Sequence, residues 1–237
     1  MEKLKLNDAV KYLRENSKKR KFAQSFDLII NLRDLNLKNP DEQLDFFLML
    51  NKGLGKKLKI AALVGPELQE KAEGAVDLVI NQADFSKYKD KKEAKKLADE
   101  YDYFIAQADI MAKIAQAFGR VFGPRGKMPN PKLGSVLAGK AQVEPIYDRL
   151  QKTVRITAKK APNAQIKVGD ENMSDKELIE NITQVYNQTL LNLPKERSNV
   201  KSVLLKLTMG KPVELDMWWC KKWQNIKLTF QITRKKS

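Results

Sequence analysis

The sequence predicts a two-domain protein of mixed α/β and α+β class, in which a small α/β domain is inserted into an α+β domain made from both ends of the chain. Three observations predict it. In the middle of the chain, short continuous apolar runs alternate with helical ones, the pattern of a parallel sheet covered on both faces. Toward both ends, strand-like runs alternate apolar and polar residues with a period of two, the pattern of a sheet with one covered face. The charge divides at the same places: residues 1–57 carry 13 basic and 8 acidic side chains, residues 58–152 carry 16 and 13, and residues 153–237 carry 16 and 8. Most of the net charge of +16 therefore belongs to the ends.

The first part, 1–57, opens with a helix expected over residues 7–17. Asn7 is its expected N-cap, and Val10, Leu13 and Tyr12 its apolar side. Lys18-Lys19-Arg20-Lys21 follows, four cations in a row, and Phe22 stands directly after them. Phe26, Leu28, Ile30 and Leu32 then alternate as one face of a half-buried strand. Asn39-Pro40-Asp41 reads as a turn, and Asp45 to Leu50 as another strand. Lys52-Gly53-Leu54-Gly55-Lys56-Lys57 is a flexible basic loop at the first domain boundary.

The middle part, 58–152, begins with an apolar strand over Leu58 to Val64. Pro66 opens a helix that stops at Gly74, because Pro suits the first turn and Gly the position after the last. Val76 to Ile80 is the next strand, and Ser86 to Glu100 a charged helix with Tyr88, Ala94 and Leu97 as its apolar side. Tyr103 to Ala106 is the third strand, and Asp109 is expected to cap a helix that Gly119 closes. A last helix lies near Glu144 to Leu150. These elements together read as a Rossmann-like unit.

The last part, 153–237, returns to alternating strands at Thr153 to Ala158, Gln165 to Val168 and Val200 to Leu207. Between them Ser174-Asp175-Lys176-Glu177 is a capping box, in which Ser and the Glu three residues on satisfy each other's backbone donors. The helix behind it carries Leu178, Ile179, Ile182, Val185, Tyr186 and Leu190, and Pro194 ends it. Thr208-Met209-Gly210-Lys211-Pro212 breaks the last of these strands.

Composition narrows the function. A net charge of +16 lies beyond the roughly 2–8 expected of a small soluble domain, and points to a polyanion. No run approaches the roughly 18 apolar residues of a membrane span, and the N-terminal residues lack the apolar core of a signal peptide. The single cysteine, Cys220, fits a reducing compartment. The chain has no histidine, which removes His-based triads, general bases and metal ligands. No metal site and no cofactor is expected.

The run from Arg120 to Lys132 is the first candidate for chemistry. It holds Pro124, Pro129 and Pro131, Gly123 and Gly126, and four positive charges, and reads as a shaped cationic loop, neither helix nor strand. It fails as a phosphate loop. A Walker loop needs Gly, four residues, and Gly-Lys-Ser/Thr; here Met128 follows Gly126-Lys127 and Val121 stands in the leading position. The first strand ends in Val64-Gly65-Pro66-Glu67, without the glycine fingerprint of a dinucleotide site. Asp99, Glu100 and Asp102 read as a solvated helix end. A nucleotide-using enzyme in the α/β domain stays as the alternative. Nucleic-acid binding fares better: cations meet phosphate, an adjacent Phe22 packs on sugar or base, and Gly210 lets RNA approach the main chain.

At this point the motifs resemble a known family, the large-subunit ribosomal protein L-one family, in its archaeal and eukaryotic-like version. Gly123-Pro124-Arg125-Gly126-Lys127-Met128-Pro129-Asn130-Pro131 resembles its signature. Lys21 to Leu28 and Ser202 to Gly210 resemble its two terminal motifs, and Phe104 to Asp109 a further segment. The resemblance covers roughly residues 5–213. It implies an RNA-binding domain from both termini with an inserted domain. It implies that Lys21, Phe22, Ser25, Ser202, Lys206, Thr208, Met209 and Gly210 bind the stalk of the large ribosomal RNA. It also implies contact with exit-site transfer RNA, repression of the chain's own messenger, and a cytoplasmic place on the large ribosomal subunit. Two features depart from the pattern. Met49-Leu50-Asn51-Lys52 stands where the family usually carries Leu-Pro-His. After about residue 213 the chain continues through Trp218, Trp219 and Trp223 to a strand-like run at 227–232. That extension reads either as an extra edge strand or as a further RNA or protein contact.

Overall fold

The computed structural model describes residues 4–139 and 141–216, so the Trp-containing extension and the strand expected at 227–232 lie outside the described residues. In chain order the elements are α1 (Leu6–Asn16), β1 (Ser25–Leu32), β2 (Leu44–Met49), β3 (Ile60–Val64), α2 (Pro66–Ala72) and β4 (Leu78–Asn81). Then follow α3 (Lys91–Glu100), β5 (Tyr103–Gln107), α4 (Met111–Arg125), β6 (Val136–Leu137) and α5 (Glu144–Gln151). The last are β7 (Thr153–Ala158), β8 (Asn163–Asp170), α6 (Asp175–Leu191), β9 (Val200–Leu207) and β10 (Val213–Glu214). The described residues form two compact units, one from those up to Gly55 together with those from Val154 to Asp216, the other Lys56–Thr153.

The first unit is built on an antiparallel sheet of order β10-β9-β1-β8. Alternation decides its two faces. Phe26, Leu28 and Ile30 of β1 are buried, as are Val203, Leu205 and Leu207 of β9 and Ala164, Ile166 and Val168 of β8. They face α1, with Ala9, Val10 and Leu13, and α6, with Leu178, Ile182, Val185 and Tyr186. The capping box at Ser174 and Glu177 starts α6. β2 and β7 form a separate two-stranded sheet. Helix α1 differs from expectation at its start. Its N-cap is Lys5, and Asn7 lies inside the helix. Leu4 pairs with Leu215, so the chain stays extended up to Lys5, whose carbonyl accepts the first helical bond from Ala9 at 2.9 Å. Tyr12 is 49% exposed and belongs to the outer side of α1.

The second unit is a four-stranded parallel sheet of order β4-β3-β5-β6. Its core gathers Leu63, Ile80, Phe85, Leu97, Phe104, Ile114, Phe118 and Phe122. Two helices differ from the sequence reading. The segment expected as one helix from Ser86 splits into a 3-10 turn, Gln82–Lys89, and α3. Asp90 divides them because its side chain accepts the Lys92 amide at 3.2 Å and caps α3. Asp109 is not a helix cap. It accepts from Gln107 Nε2 at 3.0 Å, and α4 begins after a 3-10 turn at Ala108–Ile110.

The larger difference is the run expected as a loop. Helix α4 does not stop at Gly119; it continues through Gly123 and Pro124 to Arg125. Glycine and proline both oppose helix, but Phe118, Val121 and Phe122 are buried on its inner side and hold it in register. Gly126 closes it at φ 65°, with its amide bonded to Gly123 O at 3.0 Å and the Lys127 amide to Phe122 O at 3.0 Å. That pair of bonds is a Schellman closure, and its left-handed residue explains the glycine.

Candidate nucleic-acid interface

β1 and β9 are antiparallel neighbours, with Phe26 opposite Leu207. The beginning of β1 therefore lies beside the end of β9. Two motifs about 180 residues apart become one surface. The Thr208 amide donates to Ser25 O at 3.0 Å, the Ser25 amide donates to Thr208 Oγ1 at 3.0 Å, and the Thr208 hydroxyl lies 3.2 Å from Ser25 O. The Gly210 amide closes the turn on Leu207 O at 2.8 Å, and a Cβ at Gly210 would press on the Leu207 Cβ at 3.3 Å. Phe22 is 52% and Met209 62% exposed, unusual for large apolar side chains. Lys18, Lys19, Arg20 and Lys21 are exposed beside them and form no ion pair among the described residues.

The residue that joins these pieces lies within the first terminal motif but is not among the contact residues the resemblance implies. Gln24 is 1% exposed. Its Oε1 accepts from the Met209 amide at 3.4 Å, and its Nε2 donates to Lys18 O at 3.3 Å. Its backbone exchanges bonds with Glu171, the amide to Oε2 at 3.2 Å and the carbonyl from the Glu171 amide at 2.8 Å. The basic run and the turn after β9 are thus tied through the Gln24 side-chain amide, and the turn after β8 through its backbone. Next to it, Ser25 Oγ donates to Asp170 Oδ1 at 3.2 Å, and Lys167 pairs with the same carboxylate at 2.9 Å.

The sheet face away from the helices continues this surface. Asp27 stands between Lys167 of β8 and Lys206 of β9. Burial raises the Asp27 carboxyl above the ordinary range, and Lys206 and Lys167 oppose that rise. Further along, Ser202 Oγ accepts from Asn31 Nδ2 at 2.9 Å. All eight residues of the two terminal motifs named above, from Lys21 to Gly210, lie in the first unit.

The residues of the central run lie in the other unit and are used there. Arg125 pairs with Asp99. Lys127 Nζ donates to Ala98 O and to Tyr101 O, both at 2.7 Å, and so closes the end of α3. Met128 packs on the core and Pro129 is buried, while Gly123 and Pro124 are exposed at the last turn of α4. Lys127→Ala strips a donor from two carbonyls, and is expected to destabilise this unit by about 1–3 kcal/mol in equilibrium unfolding. Unchanged stability would show that the ammonium group contributes nothing there.

A sheet of this strand order has its crevice outside the carboxyl ends of β3 and β5, where the connections diverge. Gln107, 4% exposed, lies across it and accepts from the Gly65 amide at 2.9 Å. A Cβ at Gly139 would stand 2.6 Å from Glu67 Oε2 and 3.3 Å from Gln107 Nε2. Glu67 and Gln107 side chains therefore lie close to the backbone at this end of the sheet.

Comparison with known proteins defines the class first: the model of the Ribosomal protein L1p/L10e family matches residues 13–211, most of the chain. Relatives named large ribosomal subunit protein uL1 agree. The one from Methanobrevibacter smithii is 43% identical over 205 residues, 86% of this chain and 94% of the relative. That from Methanothermococcus thermolithotrophicus is 42% identical over 217 residues, 91% and 100% of the two chains. That from Nanoarchaeum equitans is 41% identical over 212 residues, 88% and 98%. The chain belongs to this ribosomal protein family, which is structural and not enzymatic.

Proposed function

We propose that the chain is a constituent of the large ribosomal subunit and grips the stalk of the large ribosomal RNA with its first unit. The observation that carries the reading is that Phe22 and Met209, both exposed, and four cations that form no ion pair among the described residues flank the same end of the β1–β9 pair. Cations without carboxylate partners give up none of their field to the protein, so they meet phosphate at full strength. Thr208 and Gly210 present a backbone held in place by Ser25 and Leu207, and Phe22 and Met209 present flat and flexible apolar surface for sugar and base. Lys21, Ser25, Ser202 and Lys206 complete the contact set.

On the same reading, the two units act as separate domains. The protein works on the cytoplasmic ribosome and assists release of deacylated transfer RNA from the exit site. A messenger carrying a like RNA fold would take the same surface, which is how the chain would repress its own synthesis. Stalk RNA and messenger then compete; simultaneous binding of both would exclude the repressor role.

Co-sedimentation with large ribosomal subunits at moderate salt tests the main proposal, and a chain left in the supernatant would sink it. With isolated stalk RNA, log affinity is expected to fall linearly with log salt concentration. Lys21→Ala should lower that slope by about 1 and weaken all RNAs evenly. A slope unaffected by Lys21→Ala removes that residue from the phosphate contacts.

A further inference from the structure

The basic charge of the last part of the chain lies mostly beyond the sheet. Residues 153–237 carry 16 basic and 8 acidic side chains, a net +8. Residues 217–237 supply six of those charges, Lys221, Lys222, Lys227, Arg234, Lys235 and Lys236, with no acid among them. The same stretch holds all three tryptophans, Trp218, Trp219 and Trp223. It lies beyond residues 13–211, which the family model matches, so family membership says nothing of it.

The fold delivers this stretch to the interface. β10 runs back along β9 from the Thr208–Gly210 turn, with Val213 opposite Leu205 and Glu214 opposite Leu204. The Leu215 amide donates to Val203 O and the Asp216 amide to Leu4 O, both at 2.8 Å, so the backbone is held as far as Asp216. Leu215 is buried on the helix side, and alternation gives Glu214 to the open face that carries Lys167 and Lys206. From Asp216 an extended chain reaches Trp218 within about 7 Å and Trp223 within about 25 Å. Leu207, where the Phe22–Met209 end begins, lies four residues along β9 from Val203, about 13 Å.

The order of the residues keeps the three rings from all packing on the fold. Adjacent residues point to opposite sides of a strand and about 100° apart on a helix, so Trp218 and Trp219 do not both turn to one edge. At least one indole is left for a partner, and Lys221 and Lys222 stand between the rings. Aromatic rings interleaved with cations suit unpaired nucleotides: the rings stack on bases that no partner strand covers, and the cations follow the phosphates. Tethering to a surface that already holds RNA raises the local concentration, so weak stacking adds to affinity.

We propose that Trp218, Trp219 and Trp223, with Lys221 and Lys222, form an arm that binds unpaired nucleotides flanking the stalk RNA. The proposal rests on the stalk-RNA reading above and adds a second RNA contact outside the sheet.

The test uses the full chain and two RNA probes, a stalk fragment trimmed to its folded part and the same fragment with about ten unpaired nucleotides at each end. The chain has no other tryptophan, so indole fluorescence reports the arm alone. Titration with the flanked fragment should quench it. Trp218→Ala, Trp219→Ala and Trp223→Ala combined should weaken the flanked fragment by about tenfold or more, and the trimmed one by less than about twofold. Lys221→Gln with Lys222→Gln should lower the slope of log affinity against log salt on the flanked fragment by about 1.4. The melting temperature of the free protein should not move in the triple variant. A triple variant that binds the flanked fragment as well as the unaltered chain does would sink the proposal. A lowered melting temperature would mean that the rings pack on the fold, and would sink it too. If the unaltered chain binds neither fragment, the stalk-RNA reading fails. Quenching by an unstructured RNA alone would then show the arm without that reading, and its absence would remove both.

Discussion

Met209→Asp weakens binding of the stalk RNA by about 100-fold or more, roughly 2.7 kcal/mol, while Arg125→Ala changes it by less than about twofold. The asymmetry follows from where the two side chains sit. Met209 is 62% exposed at the turn after β9, so a carboxylate there is solvated in the free protein and the fold is undisturbed. When RNA arrives, that carboxylate loses water without gaining a partner and faces phosphates at short range. Two like charges 4 Å apart repel by about 4 kcal/mol at the effective dielectric of a protein surface, and less in salt. The apolar contact of the methionine is lost as well. Arg125 stands in the other unit and is engaged with Asp99. Fluorescence anisotropy at one fixed salt concentration, with Met209→Leu as the apolar control, decides the matter. Equal losses from Met209→Asp and Arg125→Ala would overturn the site assignment.

What was legible beforehand was whatever a short stretch of residues decides alone. The alternation of Phe26, Leu28, Ile30 and Leu32 predicts β1 and its buried face, because a strand's period is set by its own backbone. The capping box at Ser174 predicts the start of α6 for the same reason. What was not legible depends on partners far away in the chain. Gly119, Gly123 and Pro124 each argue against helix, and only the packing of Phe118, Val121 and Phe122 carries α4 past them. Gln24, Asn181 and Asn199 are polar side chains that composition places at the surface, yet each is buried. Asn181 Nδ2 reaches Gly53 O at 2.9 Å and Val168 O at 3.0 Å, and nothing in the spacing of a helix announces that. β6, of two residues, is too short to have a pattern. The candidate interface divides in the same way. Its members are the residues the resemblance implies. Their joining by Gln24, and the engagement of Arg125 and Lys127 within their own unit, were not legible.

Phe122→Ala is the substitution expected to cost the fold most, about 3–5 kcal/mol, and to spare RNA binding. Phe122 is 0% exposed, with ring centroids 4.3 Å from Phe104 and 5.1 Å from Phe118. Its truncation removes buried area and leaves a hole that two neighbouring rings, fixed by β5 and α4, cannot fill. A domain stable by about 5–15 kcal/mol loses a large share of that to one such change. If the two units are separate domains, the loss stays in the one that contains Phe122. Calorimetry should then show two transitions, with one moved down by several degrees and the other in place. Stalk-RNA affinity should remain within about twofold, because additivity holds for sites that share no partners. A single transition that moves as a whole, or an affinity that falls with stability, would mean that the units fold as one body. The signature run would then support the RNA grip through the core it packs, not through the cations that first drew attention to it.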